Sequence, residues 1–426
     1  MILRDPVHGL VSFEAEEEAV LPRLFAAREV QRLRRIRQLG LASLAFPGAE
    51  HTRFAHAIGA ATVMQRLLAR LRQIDHELPF WQRVTSERAR DALAAAFLHD
   101  VGHGPLSHLF EEALPDAQHH EAWTDRILLD PSTDVHKVLV SQDAHLPKRV
   151  ADLVHGRHDL PYLSKAVSGT VDVDRADYLL RDAHATGVRY GEYDLPWLMR
   201  SLRFANSSTD AAPTLAIDGI KGVSALESFV LARYFMFQQV YFHKSGRAAE
   251  HMVKRILERA IALVRDGVRL PSLPPAFLSV AAGEQPTLGE YLDLDDQVLL
   301  LAIHAWEQAG DPTLADLCKR LRAREIWKTI DLHDADEAAK AEALGRARDI
   351  AKTAGLDPDV YVALDVAEDT PYKDDGSLLV AFRRGRARRP TEVSVVLERL
   401  DGATCARTRI VFPAELRPQM LEAIAQ

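Results

Sequence analysis

Between residues 97 and 108 the chain reads FLHDVGHGPLSH, a run that holds His99, Asp100, His103 and His108. Neutral imidazole and carboxylate together suit borderline-to-hard divalent ions: Mn, Fe, Zn, or Mg with water. A lone His-Asp pair is common by chance, so a metal reading needs further ligands. His56 and Asp174 can supply them. The set then has two imidazoles and two carboxylates, enough to hold one ion and leave positions for water and substrate. Such an ion polarises a phosphoryl oxygen and lowers the pKa of bound water. His103, His108 and His120 are suited to move protons near neutral pH. Glu111, three residues after His108 and on the same expected helix, is close enough to orient it. Arg53, Arg175, Arg233 and Lys244 could neutralise a polyanion, and arginine offers phosphate a fixed fork of donors. This combination describes a phosphate-ester hydrolase better than a peptidase or a dehydrogenase. There is no Gly-rich loop of the P-loop type.

The elements that must position these groups read as helices. The apolar run 92–98 delivers His99 and Asp100 at a helix end. Gly102, Gly104 and Pro105 break that helix, and Pro105 suits the start of a new one. Thr52 is the expected N-cap of a helix running to Ile74, which puts Arg53 and His56 on one face. His119-His120-Glu121 opens another helix. In VDVDRADYLLRDAHATG, residues 171–187, Asp174, Tyr178 and Asp182 recur every four residues and share one stripe. Residues 226–263 read as a long helical region whose aromatic middle (Tyr234, Phe235, Phe237, Tyr241, Phe242) is by itself a packing stripe. Residues 20–39 read as a helix dense in arginine: Arg28, Arg32, Arg34, Arg35 and Arg37. That face is either solvated, turned to phosphate, or a subunit contact.

The fold class expected is mainly α, with a helical core over 1–270, a helical extension over 271–356 and a small C-terminal α+β region over 357–426. Strands are expected there at 360–366, 378–382, 391–397 and 406–412. The chain has 426 residues and a formal charge of −8, which argues against a dominant nucleic-acid-binding surface. Arg383, Arg384, Arg386, Arg388 and Arg389 still make one basic run, read as a hairpin tip or a site for nucleotide or nucleic acid. Cys318 and Cys405 give neither a disulfide framework nor zinc spacing. No signal-peptide pattern or membrane-length apolar run occurs, so a cytoplasmic protein without a membrane partner is expected.

The blocks DPVHG, QRLRRIRQLG, FPGAEHTRFAHAIG, HDVGHGPLSH, HHE, DVDRADYLLRDAHATG and RYFMFQQVYFHK occur in this order. In that combination the chain resembles the HD-domain deoxynucleoside triphosphate triphosphohydrolases, over roughly residues 1–332. The resemblance implies a helical HD phosphohydrolase core and cleavage of a dNTP into deoxynucleoside and inorganic triphosphate. It implies that His56, His99, Asp100 and Asp174 hold a divalent metal, and that Arg53, Arg175 and Arg233 contact phosphates, with His103 nearby. It makes His108, oriented by Glu111, the general acid, with His120 in support. Gln38 and Asp182 would read the sugar 3′ hydroxyl, and Tyr178 and Tyr241 would pack on the sugar against a 2′ hydroxyl. Phe242 stands where the vertebrate relative has a glutamine near the base. Arg34 and Arg324 match activator-site positions, whereas Ala26 replaces a guanine-reading aspartate. An activating nucleotide and homo-oligomeric assembly are therefore further expectations.

Overall fold

The computed structural model describes residues 1–113, 118–206, 213–333 and 335–424; for His108, Glu112, Ala113 and Asn206 it describes the backbone alone. Helices form most of the chain, as expected. Three of them build the centre: Arg53–Ile74, Ser86–Leu98 and Val173–Thr186. Each begins on a side-chain cap. Thr52 accepts from the Ala55 amide, Thr85 from Arg88 and Asp172 from Arg175, which satisfies amides that have no partner inside the helix. Gly187, in the left-handed region at φ 76°, ends the third. Residues 92–98 are buried all round, and the small alanines of that run let neighbouring helices close on it.

The helix after the His-Asp pair does not start at Pro105. Leu106 and Ser107 have φ of 54° and 60°, which a right-handed helix cannot contain, so it begins at His108. The turn is held from outside: the Leu106 amide donates to Asp296 Oδ1 at 2.8 Å, and Ser107 Oγ accepts from Arg53 Nε at 3.0 Å.

The expected 20–39 helix is also divided, into Val20–Phe25, Arg28–Arg32 and a 3-10 turn at Leu33–Arg35. The Gln31 side chain donates to the Phe25 carbonyl and closes the first piece. Arg28, Arg34 and Arg35 are exposed, Arg37 is half-buried and Arg32 is buried. Arg28 pairs with Asp293 and Arg35 with Asp295, while buried Arg32 donates to the Leu294 and His103 carbonyls at 2.7 and 2.8 Å. The run ties the 293–296 segment to the metal-type turn.

Strands occupy little of the described chain. Ile2–Asp5 and Gly9–Ser12 form an antiparallel hairpin. Leu202–Asn206, Pro213–Asp218 and Leu379–Ala381 form a second sheet in that order. In the third sheet Cys405–Phe412 lies between Lys328–Asp331 and Ala363–Asp369, with Ile410 opposite both Ile330 and Leu364. Residues 391–397 are not a strand. Pro390–Glu392 is a 3-10 turn, and Ser394 caps a helix over Val395–Leu400 through the Leu397 amide at 3.1 Å. A small core of Ile330, Ala347, Ile410, Phe412 and Met420 packs under the third sheet. Among the described residues no helix is long and apolar enough to cross a membrane.

Candidate active site

The three central helices bring His56, His99, Asp100 and Asp174 to one point. His56 Nε2 lies 3.2 Å from His99 Nε2 and 3.0 Å from Asp174 Oδ1. His99 Nε2 lies 3.4 Å from Asp174 Oδ1 and 3.4 Å from Asp100 Oδ1. Two ligand atoms each about 2.1 Å from one ion and at right angles stand about 3 Å apart, so His56, His99 and Asp174 fit a single divalent ion, with Asp100 beside them, its Oδ2 accepting from Arg53 and its Oδ1 3.2 Å from His103. Both imidazoles are aimed by their other nitrogen. His56 Nδ1 donates to Asp177 Oδ2 at 2.8 Å, and His99 Nδ1 to the Ala96 carbonyl at 2.9 Å. Each Nε2 is thereby left as a lone-pair donor toward the ion, the usual support of a metal-bound histidine.

The electrostatics agree with a cation at this point. Burial would lower the His56 pKa, but hydrogen bonds to Asp174 and Asp177 push it up to about 10. Burial also opposes ionisation of Asp174 and Asp100. His56 and His99 nonetheless lower Asp174, and the Arg53 guanidinium holds Asp100 well below the usual carboxylate range. Acidic groups that would protonate a buried imidazole will equally favour a divalent ion in its place.

Asp177 is the support that sequence reasoning missed. It is fully buried and accepts from His56 Nδ1, from His8 Nε2 at 2.6 Å, and from Arg181 Nε and Nη2 at 2.8 and 2.9 Å. Asp5 takes Arg181 Nη1 at 2.9 Å. The DPVHG block thus reaches the site through its hairpin, with Asp5 and His8 in these contacts. Gly59 is required here, since a Cβ would stand 1.8 Å from Asp177 Oδ1. A signal was present in the sequence: an aspartate at i+3 from Asp174 with an arginine at i+4 beyond it.

Beside the cluster opens a cavity of about 490 Å³, within the usual size of a small-molecule site. Gln38, Arg53, Tyr178, Asp182, Arg233 and Tyr241 all line it, as does Phe242. Tyr241 donates to Asp182 Oδ2 at 2.9 Å, and His51, also missed, contacts Asp182 Oδ1 at 2.8 Å. Tyr178 and Tyr241 meet edge to face with centroids 6.3 Å apart. A π-helical turn at Phe237–Tyr241 widens the helix and turns Phe237, Val240 and Tyr241 to the cavity. Gln38 Oε1 and Arg233 Nε are buried with no hydrogen-bond partner among the described residues. Arg53 joins the two regions, lining the cavity while donating to Asp100.

Residues 53–182 match the HD domain, and residues 194–271 match the HD associated region. The YwfO protein of Bacillus subtilis is 32% identical over 423 residues, covering 97% of this chain and 92% of its own length. The chain belongs to the HD-domain phosphohydrolase family. A phosphohydrolase from Bacteroides thetaiotaomicron has the same fold, with a TM-score of 0.80 at 26% identity over 97% of this chain and 99% of that one. The deoxynucleoside triphosphate triphosphohydrolase SAMHD1 homologue of Dictyostelium discoideum is 27% identical over 378 residues, 85% of this chain. SAMHD1 of Bos taurus is 26% identical over 376 residues, 77% of this chain. The chain spans 66% and 58% of the lengths of those two proteins.

In this HD-domain phosphohydrolase His103 and His120 stack at 3.8 Å with 14° between planes. His103 Nε2 lies 3.2 Å from Asp100 Oδ1, and burial together with Arg53 pushes its pKa well down, so it is neutral. Glu111 accepts from the His120 amide and Nδ1, both at 3.1 Å, so the side chain it is seen to orient is that of His120. The His108 side chain, and with it the expected Glu111–His108 pair, lies outside the described residues. Arg175 faces a neighbouring cavity and donates to Asp172 and the Gly169 carbonyl. Lys244 is not brought to the cleft. It follows the helix break at Phe242-His243 and lines a separate cavity with Arg324 and Lys328.

Proposed function

We propose that this HD-domain phosphohydrolase cleaves deoxynucleoside triphosphates into deoxynucleoside and inorganic triphosphate. The observation that carries the reading is one cavity in which Gln38, Tyr178, Asp182 and Tyr241 line the same space as Arg53 and Arg233, beside the His56, His99, Asp100 and Asp174 cluster. A divalent ion held by those four residues supplies Lewis acidity toward a phosphoryl oxygen. Arg53 and Arg233 bind the phosphate tail, with Arg175 on its far side. The unpartnered Gln38 Oε1 and the Asp182 carboxylate accept from a sugar hydroxyl. The edge-to-face tyrosines pack on the deoxyribose and disfavour an added 2′ hydroxyl. We assign His108, at the start of the His108–Ala113 helix, as proton donor to the leaving 5′ oxygen, and the Glu111–His120 pair as its support. The SAMHD1 relatives at 26–27% identity favour this substrate class.

The test is to incubate the protein with each dNTP and NTP, alone and in mixtures, with Mn or Mg, and to separate the products. Deoxynucleoside with intact triphosphate is the expected result, and dNTPs unchanged in every mixture would refute the proposal. A second reading is hydrolysis of another phosphoester, single-stranded nucleic acid included. It is favoured by the exposure of all five arginines between 383 and 389. Salt-sensitive oligonucleotide binding that weakens when those arginines are replaced would support it.

A further inference from the structure

A nucleotide has a phosphate tail, a sugar and a base, and the proposed reaction gives residues to the first two. On the cavity of about 490 Å³, Arg53 and Arg233 take phosphate, and Gln38, Tyr178, Asp182 and Tyr241 take the sugar. Ser107 is bonded to Arg53, and Asp369 lies 3.9 Å from Arg233, so both belong to the phosphate end. Among the described lining residues, the polar groups then left are Arg247 and Glu250, both on the helix Lys244–Arg265. Standing at i and i+3 they share a face, and Arg247 Nη1 donates to Glu250 Oε2 at 2.7 Å. Gly246 lines the cavity next to them. A Cβ built on it would meet nothing within 4 Å, so there is open space at that point of the wall. Phe237 and Phe242 add apolar ring surface to the same cavity.

The pair is held in place from the C-terminal region. Arg247 Nε and Nη2 donate to Asp365 Oδ1 at 3.0 and 2.8 Å, and His251 Nε2 contacts the same oxygen at 3.1 Å. Asp365 is fully buried in the strand Ala363–Asp369. With Glu250, these bonds engage three of the five guanidinium N–H groups and fix the side chain beside its carboxylate.

We propose that Arg247 and Glu250 read the hydrogen-bonding edge of the base, with Asp365 as the positioning residue of Arg247, and that the edge they fit best is that of guanine. Guanine offers acceptors at N7 and O6, which suit arginine, next to donors at N1 and N2, which suit a carboxylate. Thymine repeats that order with a single acceptor, O4, and a single donor, N3–H. Adenine and cytosine reverse it, turning an amino group toward the arginine and a ring-nitrogen acceptor toward the carboxylate. The preference rests on this cavity being the proposed deoxynucleotide site.

The test is calorimetric titration of the full-length, chelator-treated protein with each dNTP, which requires no turnover. Wild type is expected to bind dGTP about tenfold or more tighter than dATP and dCTP, with dTTP between. Glu250→Gln should bring the dGTP-to-dATP affinity ratio close to one, because a carboxamide both donates and accepts. Asp365→Asn should lower the same ratio about threefold or more through Arg247, a change that lost stability alone would not produce. Glu258→Gln, on the same helix and paired with Arg255, should leave the ratio unchanged. Equal binding of all four dNTPs by wild type, or a wild-type ratio retained in Glu250→Gln, would overturn the assignment. The expected ratios in a protein that releases no triphosphate from any dNTP would leave the base seat standing and remove the proposed reaction alone.

Discussion

Asp177→Asn separates the support of the metal-type cluster from the cluster itself. The carboxylate has no exposure and collects four donors, from His8, His56 and Arg181. Asparagine keeps the shape and one acceptor oxygen. It loses the charge, and it turns an NH₂ toward groups that are themselves donors. Removing one partner of a buried ion pair costs about 3–5 kcal/mol. Arg181 keeps Asp5 at 2.9 Å, so the lower end, about 3 kcal/mol, is expected. The second effect falls on His56, whose tautomer is fixed by this bond. Loss of such a support lowers metal affinity about 10–100-fold. Urea unfolding measures the first effect, and competition with a chromophoric chelator measures the second. Asp5→Asn serves as the comparison, losing stability through Arg181 while changing metal affinity much less. A folded Asp177→Asn protein whose metal affinity lies within twofold of wild type would refute the argument that Asp177 aims His56.

Other expectations follow from single contacts. Tyr241→Phe removes the hydrogen bond to Asp182 but leaves His51 in place, so kcat/KM for a dNTP should fall about 3–10-fold, with the larger part in KM. Divalent metal at 100 times its Kd should stabilise wild type by about 2.7 kcal/mol and His99→Ala by much less, read as a thermal shift that a chelator reverses. Burial opposes ionisation of Asp365, but His251 and Arg247 depress its pKa below the model-compound 3.8. A carboxylate with a depressed folded-state pKa contributes stability that is present above 3.8 and lost as pH falls through the folded value. Melting temperature measured from pH 6 down to pH 3 should therefore fall less steeply in Asp365→Asn than in wild type.

The grouping of His56, His99 and Asp174 was legible because their types are rare together and each lies within or just after a helix that spacing can place. Tyr178 and Asp182 were legible for the same reason, as members of one stripe with Asp174. Asp177 was not, because its partners His8 and His56 reach it only when the hairpin and the Arg53–Ile74 helix pack on its own helix. His51 was hidden likewise, lying outside any periodic element. The partners of Arg28 and Arg35 were hidden because their carboxylates lie some 260 positions later in sequence. Lys244 looked close to Arg233 along a continuous helix, but the π-turn and the break at Phe242-His243 send it elsewhere. Short strands such as Leu202–Asn206 and Lys328–Asp331 are too brief for alternation to mark them, and 391–397 read as a strand because Val393, Val395 and Val396 outweighed the Ser394 cap.

In the proposed reaction this HD-domain site breaks the bond between the α-phosphorus and the 5′ oxygen of a dNTP. The most direct measurement is turnover in ¹⁸O-labelled water with mass analysis of both products. The expected result is one ¹⁸O in inorganic triphosphate and none in the deoxynucleoside. Label in the nucleoside, or release of monophosphate or diphosphate in place of triphosphate, would contradict it.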